Sequence, residues 1–135
     1  MENQYLHSEL SSNIIQAFYK VYNTLGYGFA EKVYENALAI ELRKRGLFAE
    51  KQGKITVYYE SEVVGEYFAD ITVEHKIIVE LKTVSQLNED HEGQIMNYLK
   101  ATPIELGLLL NFGPKPQVKR RILTNNFKPA LPQNI

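Results

Sequence analysis

Between Glu9 and Leu25 the apolar residues Ile14, Phe18, Val21 and Leu25 return every three or four positions, the repeat of one helix face. Ser11 or Ser12 is placed to cap its start, and Gly26-Tyr27-Gly28 ends it. A second helix is expected from about Ala30 to Arg45, with Val33, Ala37, Leu38 and Leu42 as its buried stripe and Gly46 as its C-cap. Arg43-Lys44-Arg45 then sit at the negative end of the helix dipole. Beyond Gly46 the repeat shortens to two. Ile55 to Glu60, Val64 to Thr72 and Lys76 to Leu81 read as three strands of an antiparallel meander, parted by the turns Glu60-Ser61-Glu62 and Val73-Glu74-His75. A third helix from about Asn88 to Ala101 stops at Thr102-Pro103, because the residue before a proline is driven out of helical backbone. Glu105 to Phe112 is apolar enough for a central strand entered by a crossover. Gln117 to Thr124, with charged positions and prolines before it, suits an edge. The order α, α, β, β, β, α, β, β predicts an α/β fold.

Length changes that picture little: 135 residues suit one domain spanning 1–135 with its own core. A composition of 44% hydrophobic and 23% charged residues excludes the disordered class. The absence of cysteine excludes disulfides, thiolate nucleophiles and thiolate metal sites together. The polar start, MENQYLHSELSSN, does not read as a signal peptide, and no apolar run approaches the ~20 residues of a membrane helix. A soluble cytoplasmic protein that makes no use of a membrane is the expectation. The formal net charge of -1 argues against wholesale wrapping of nucleic acid by a basic surface. Charge is nevertheless uneven, since Lys115, Lys119, Arg120, Arg121 and Lys128 follow Phe112 with no acidic residue among them. Such a stretch is either a solvated strand and tail or an edge that faces phosphates.

The candidate chemistry lies in the meander. Asp70 interrupts the hydrophobic run Tyr67-Phe68-Ala69-Asp70-Ile71, and Glu80 and Lys82 close Ile77-Ile78-Val79-Glu80-Leu81-Lys82. With a period of two, Glu80 and Lys82 share a face, and a hairpin pairing brings Asp70 alongside Glu80. Charges among apolar neighbours are costly unless paired or metal-bound. One account is Mg²⁺ held by the two carboxylates, with the Leu81 carbonyl completing the coordination and Lys82 orienting water or offsetting charge. The other is a cross-strand Asp–Lys or Glu–Lys ion pair on a solvated face. Gln94 and Tyr98 share a face of the third helix, one turn after His91, and suit either contact with a nucleotide or ordinary surface and packing duty. Glu31 falls in the first turn of the second helix, where it either favours the dipole or adds a third carboxylate. His7, His75 and His91 lack the spacing of a zinc site, and neither a phosphate-binding glycine loop nor a dinucleotide fingerprint is present.

Gly28-Phe-Ala-Glu31-Lys-Val-Tyr34 resembles the signature of the GxxExxY proteins, a group assigned to the PD-(D/E)xK, or restriction-endonuclease-like, superfamily. The likeness continues through Glu35-Asn-Ala-Leu38, Leu42-Arg-Lys-Arg-Gly46-Leu, Ala69-Asp70, Ile78-Val-Glu80-Leu-Lys82, His91-Glu-Gly-Gln94-Ile-Met-Asn-Tyr98-Leu and Leu108-Leu-Leu-Asn111-Phe-Gly113. It implies a central mixed sheet of four or five strands flanked by helices, and Mg²⁺- or Mn²⁺-dependent hydrolysis of phosphodiester bonds in DNA or RNA. Asp70, Glu80 and Lys82 match the catalytic core of that superfamily. Glu31 matches the helix-borne acid of relatives similar to the nuclease domains of bacterial recombination helicases, and Gln94 with Tyr98 resembles their Gln-x-x-x-Tyr motif. The partner implied is nucleic acid; the small size of the domain, which leaves little surface beyond its core, separately makes a second copy of the chain a candidate partner, since dimerisation would lengthen the groove. The competing expectation is a module that keeps the fold and binds nucleic acid or protein without hydrolysing anything.

Overall fold

Two tight turns of left-handed backbone shape the meander: Glu60 and Ser61 have φ of 49° and 68°, Glu74 and His75 of 55° and 54°. Positive φ at both central residues is what the two-residue loop between paired Tyr59 and Glu62 needs to match the twist of its strands, while Glu74 and His75 open a three-residue loop between paired Val73 and Ile77. In the computed structural model, which describes residues 6–128, these turns join β1 (Ala49–Tyr59), β2 (Glu62–Val73) and β3 (Ile77–Lys82) as antiparallel neighbours. Residues 1–5 and 129–135 of the expected 1–135 unit, with part of the polar N-terminal run, lie outside the described residues. β4 (Leu106–Phe112) then pairs parallel with β3, and β5 (Pro116–Ile122) antiparallel with β4, so the five strands lie in chain order with β5 at an edge. Helices α1 (Ser8–Leu25), α2 (Glu31–Lys44) and α3 (Glu89–Lys100) flank this mixed sheet, as the α/β expectation has it.

The core has two layers. Ile14, Phe18 and Val21 of α1 and Tyr34, Leu38 and Leu42 of α2 pack against Ile77, Val79 and Leu81 of β3 and against alternate residues of β4. On the α3 side, Ile95, Tyr98 and Leu99 pack with Ile78, Ala69 and Ile55. Each fully buried large apolar side chain contributes roughly 1.5–3 kcal/mol, so both layers matter to a domain whose net stability is ~10 kcal/mol. All seven residues of β4 are buried, which explains its unbroken apolar run. Gly107 is where α3 comes closest, since a Cβ there would stand 2.7 Å from Ile95 Cδ1.

Three expectations need correction. Helix α1 starts at Ser8 after a left-handed His7, so neither Ser11 nor Ser12 caps it; Ser11 is buried within the helix and accepts a hydrogen bond from Arg120. The buried stripe of α2 is rotated: Tyr34, Leu38, Ala39 and Leu42 face inward together with Glu35 and Glu41, whereas Val33 is 39% exposed. Polar atoms buried with partners turned it, because Tyr34 stacks on Phe112 with centroids 4.5 Å apart and Glu35 and Glu41 find cationic neighbours in Lys32 and Arg45. Strand β1 begins at Ala49, well before Ile55, because pairing with β2 extends it through Ala-Glu-Lys-Gln-Gly-Lys, which has no alternating pattern of its own.

Candidate functional site

Asp70 sits where the β1–β2 ribbon changes layers. Ile71 and Val73 pack with α1 and α2, whereas Ala69 packs with Tyr98 and Leu99 on the α3 side. The β2–β3 ladder ends beside it, at Ile71 opposite Val79. At the next position the side chains take over from the backbone. The Asp70 N–H donates to Glu80 Oε1 at 2.9 Å, and the Leu81 N–H donates to Asp70 Oδ2 at 2.8 Å. Each acid thereby satisfies a backbone donor freed by the diverging strands, and the two carboxylates are interlocked.

This is an expensive place for anions. Glu80 is 3% exposed, and burial, followed by the nearby charge of Asp70, pushes its carboxyl up to about 8. Burial raises Asp70 as well, with the Leu81 N–H pulling the other way and the charge of Glu35 adding to the rise. Glu31, the first residue of α2, is raised by burial and then by Asp70. Lys82 favours ionisation of all three acids, yet among the described residues it forms no direct ion pair with Asp70 or Glu80. The solvated cross-strand salt bridge is therefore not what these residues make.

Local sequence explains how Glu31 reaches the group. Gly28 has φ of 115°, which side chains disfavour, and lets the chain turn into α2. Tyr34, fully buried, donates its hydroxyl hydrogen to the Gly26 carbonyl at 2.6 Å and accepts from the Phe29 N–H at 3.2 Å, closing the loop ahead of Glu31. The Gly-x-x-Glu-x-x-Tyr spacing is thus one device: a turn, an acid and a bolt. Tyr34→Phe keeps the ring and removes both bonds, so urea denaturation should show a loss of ~1–2 kcal/mol. An unchanged midpoint and slope would deny the hydroxyl that role.

Two residues not singled out from the sequence belong here. Glu35, 3% exposed, accepts from Gln52 Nε2 at 2.9 Å and pairs with Lys32 at the same distance, and its charge reaches Asp70 and Glu31. Its signal is present in the sequence, since Glu35 lies four residues after Glu31 and hence on the same helix face. Gln52 carries no such signal, because its place depends on strand pairing.

On the α3 side, Gln94 Nε2 donates to the Tyr98 hydroxyl at 3.0 Å, and Tyr98 packs on Tyr67 with centroids 5.5 Å apart. Burial and then the charge of Glu80 push the Tyr98 hydroxyl up to about 12, which places the expected Gln–Tyr pair within electrostatic reach of the acids. His91 serves the helix itself: its Nδ1 accepts from the Asn88 N–H in a reciprocal cap. Past Lys82 the chain is clamped by fully buried Asn111, which accepts from the Val84 N–H at 3.0 Å and donates to the Val84 carbonyl at 2.8 Å.

The basic C-terminal stretch is largely committed inward. Arg120 donates to Ser11 and the Leu6 carbonyl, Arg121 pairs with Glu92, and Lys128 donates to the carbonyls of Thr102 and Ile104. Burial brings the Lys128 ammonium down to about 8. Of its five cations these three have partners within the fold, whereas Lys115 and Lys119 are exposed.

Asp70 and Glu80 are thus brought together, with Lys82, Glu31, Gln94 and Tyr98 around them, while Leu81 contributes through its backbone, its side chain being in the core. Among the described residues, however, no group of three or more His, Cys, Asp or Glu side chains converges as a metal-binding cluster. No described helix is long and apolar enough to cross a membrane.

A mixed sheet flanked by helices, with two acids and a lysine at the point where two strands part, defines a nuclease-like α/β module. A family model described as the PD-(D/E)XK nuclease superfamily matches residues 8–122, and the chain belongs to that superfamily. No curated protein and no solved structure matches it.

Proposed function

We propose that the chain is a GxxExxY-type member of the superfamily and a Mg²⁺-dependent nuclease, Mn²⁺ substituting, that hydrolyses phosphodiester bonds of DNA or RNA. The observation that carries this reading is the interlocked Asp70–Glu80 pair, Glu80 buried and Asp70 half-buried, with no cationic side chain paired with either acid among the described residues. The donors suit Mg²⁺: they are hard oxygens, and two carboxylates suffice for an ion that keeps several waters and takes substrate phosphate oxygens. In this reading Asp70, Glu80 and the Leu81 carbonyl would hold the cation, with Glu31 contributing from α2. The bound ion would supply polarisation of the scissile phosphate and acidify an attacking water. Lys82 would orient a water and offset charge at the scissile phosphate, and Gln94 and Tyr98 would position the nucleotide. A cytoplasmic setting and a second copy that lengthens the groove belong to the same reading.

Titration calorimetry tests the site before any substrate is chosen. Wild-type protein should bind Mn²⁺ and Mg²⁺, and Asp70→Asn should not. Protein that is folded, binds neither ion and cuts neither single-stranded, duplex nor branched DNA or RNA would end the proposal.

A second reading, a nuclease-fold module that binds nucleic acid or protein without turnover, is favoured by the engagement of Arg120, Arg121 and Lys128 with partners inside the fold, which lowers the charge that the C-terminal stretch can offer a duplex. It predicts nucleic-acid binding that survives Glu80→Gln and ignores added metal in both proteins.

A further inference from the structure

Positive φ outside glycine is confined, among the described residues, to the His7 cap, the two hairpin turns and Gln52, and Gln52 alone lies inside a strand, with φ of 57°. A non-glycine residue held there costs roughly 1–3 kcal/mol unless something around it offsets the strain. Packing does not, because Gln52 is solvent-exposed. Its location supplies the reason. Lys51 stands opposite Ile71 and Gly53 opposite Ala69, so Gln52 stands across from Asp70, at the residue where the ribbon passes from one core layer to the other. The left-handed turn sends its amide to α2, where Nε2 donates to Oε1 of buried Glu35 at 2.9 Å.

We propose that Gln52 is a positioning residue for Asp70: tied to Glu35, it pins the ribbon to α2 at its corner and so holds the Asp70 carboxylate in place beside Glu80. This role presupposes that Asp70 and Glu80 are the cation-binding pair. Glu35 is suited to be the anchor. It is held from its other oxygen by Lys32, so it presents a fixed acceptor rather than a mobile one. Groups that orient a ligand without touching the ion typically govern affinity by about 10–100-fold.

The test is a cycle of full-length variants read by Mn²⁺ calorimetry and thermal melting. Gln52→Gly keeps the left-handed backbone at no steric cost and removes the amide, so it should melt no lower than wild type and yet bind Mn²⁺ ~10-fold more weakly. In a Glu35→Ala background the same Gln52→Gly change should alter affinity by less than ~2-fold, because the tether is already gone. If Gln52→Gly fails to fold, Gln52→Asn, which tolerates the same backbone with an amide too short for Glu35, takes its place with the same expectation. Wild-type affinity in the Gln52→Gly protein, or an equal loss in both backgrounds, overturns the positioning role and leaves the cation site standing. No Mn²⁺ binding by wild type overturns both.

Discussion

The Glu80→Gln protein is expected to lose phosphodiester cleavage by at least ~10²–10³-fold and yet to melt several degrees above wild type at about pH 8 to 9 without added metal. The two effects share one cause. The Glu80 carboxyl is raised from 4.5 to about 8, chiefly by burial and then by the charge of Asp70. A raised carboxyl means that the folded chain holds its proton while the unfolded chain has released it. The contribution to stability is therefore complete below pH 4.5, is lost steadily as pH rises, and is gone above about 8. The amide that replaces this carboxyl in the variant stays neutral throughout, so the advantage of the variant should be smallest near about pH 4.5 and reach on the order of 2–4 kcal/mol at about pH 8 to 9. Asp70→Asn and Lys82→Ala should abolish cleavage as well. Melting curves of wild type and Glu80→Gln that stay parallel across that pH range would refute the electrostatic account, and cleavage retained by all three variants would exclude this site.

Gly113→Ala should be the most damaging single methyl in the molecule, with a loss of ~3 kcal/mol and a melting point lower by ~10 °C. A Cβ at 113 would run into the backbone carbonyl of Val84, and backbone cannot step aside as the end of a side chain can. The same carbonyl is gripped by Asn111 at 2.8 Å, and Asn111 stands opposite Lys82 in the parallel β3–β4 pairing. Displacing Val84 therefore loosens the exit of β3 and the Lys82 that ends it, so cleavage should fall along with stability. Gly93→Ala is the internal control. Nothing lies within 4 Å of a Cβ at 93, on the exposed side of α3, and the change should stabilise by ~0.5–1 kcal/mol. Equal melting points for the two variants would show that the Gly113 contact is not a tight one.

Where the chain alternates cleanly, pattern and structure agree. The meander, the third helix ending before Pro103, the apolar crossover strand and the edge strand all lie within a few residues of where periodicity puts them. The departures share one physical origin. Hydropathy puts Val33 inside α2 and Glu35 and Glu41 outside because it ranks side chains alone, whereas buried acids with cations or amides beside them are tolerated. The start of β1 is unreadable for the same reason: Ala-Glu-Lys-Gln-Gly-Lys has no strand pattern until β2 lies beside it. The basic stretch after Phe112 looks like a surface because nothing in it reveals that Ser11, Glu92 and the carbonyls of Thr102 and Ile104 wait for it across the fold.

By itself the sequence determined which elements form, and it determined that Asp70 and Glu80, either side of a tight turn, meet as neighbours, because local backbone preference and a period of two act over short spans. Tertiary structure alone decided that the pair interlocks through backbone N–H groups and that Glu35 and Gln52 join it. Those outcomes depend on where strands part and how a helix rolls against a sheet, which are long-range packing equilibria that no single stretch of chain encodes.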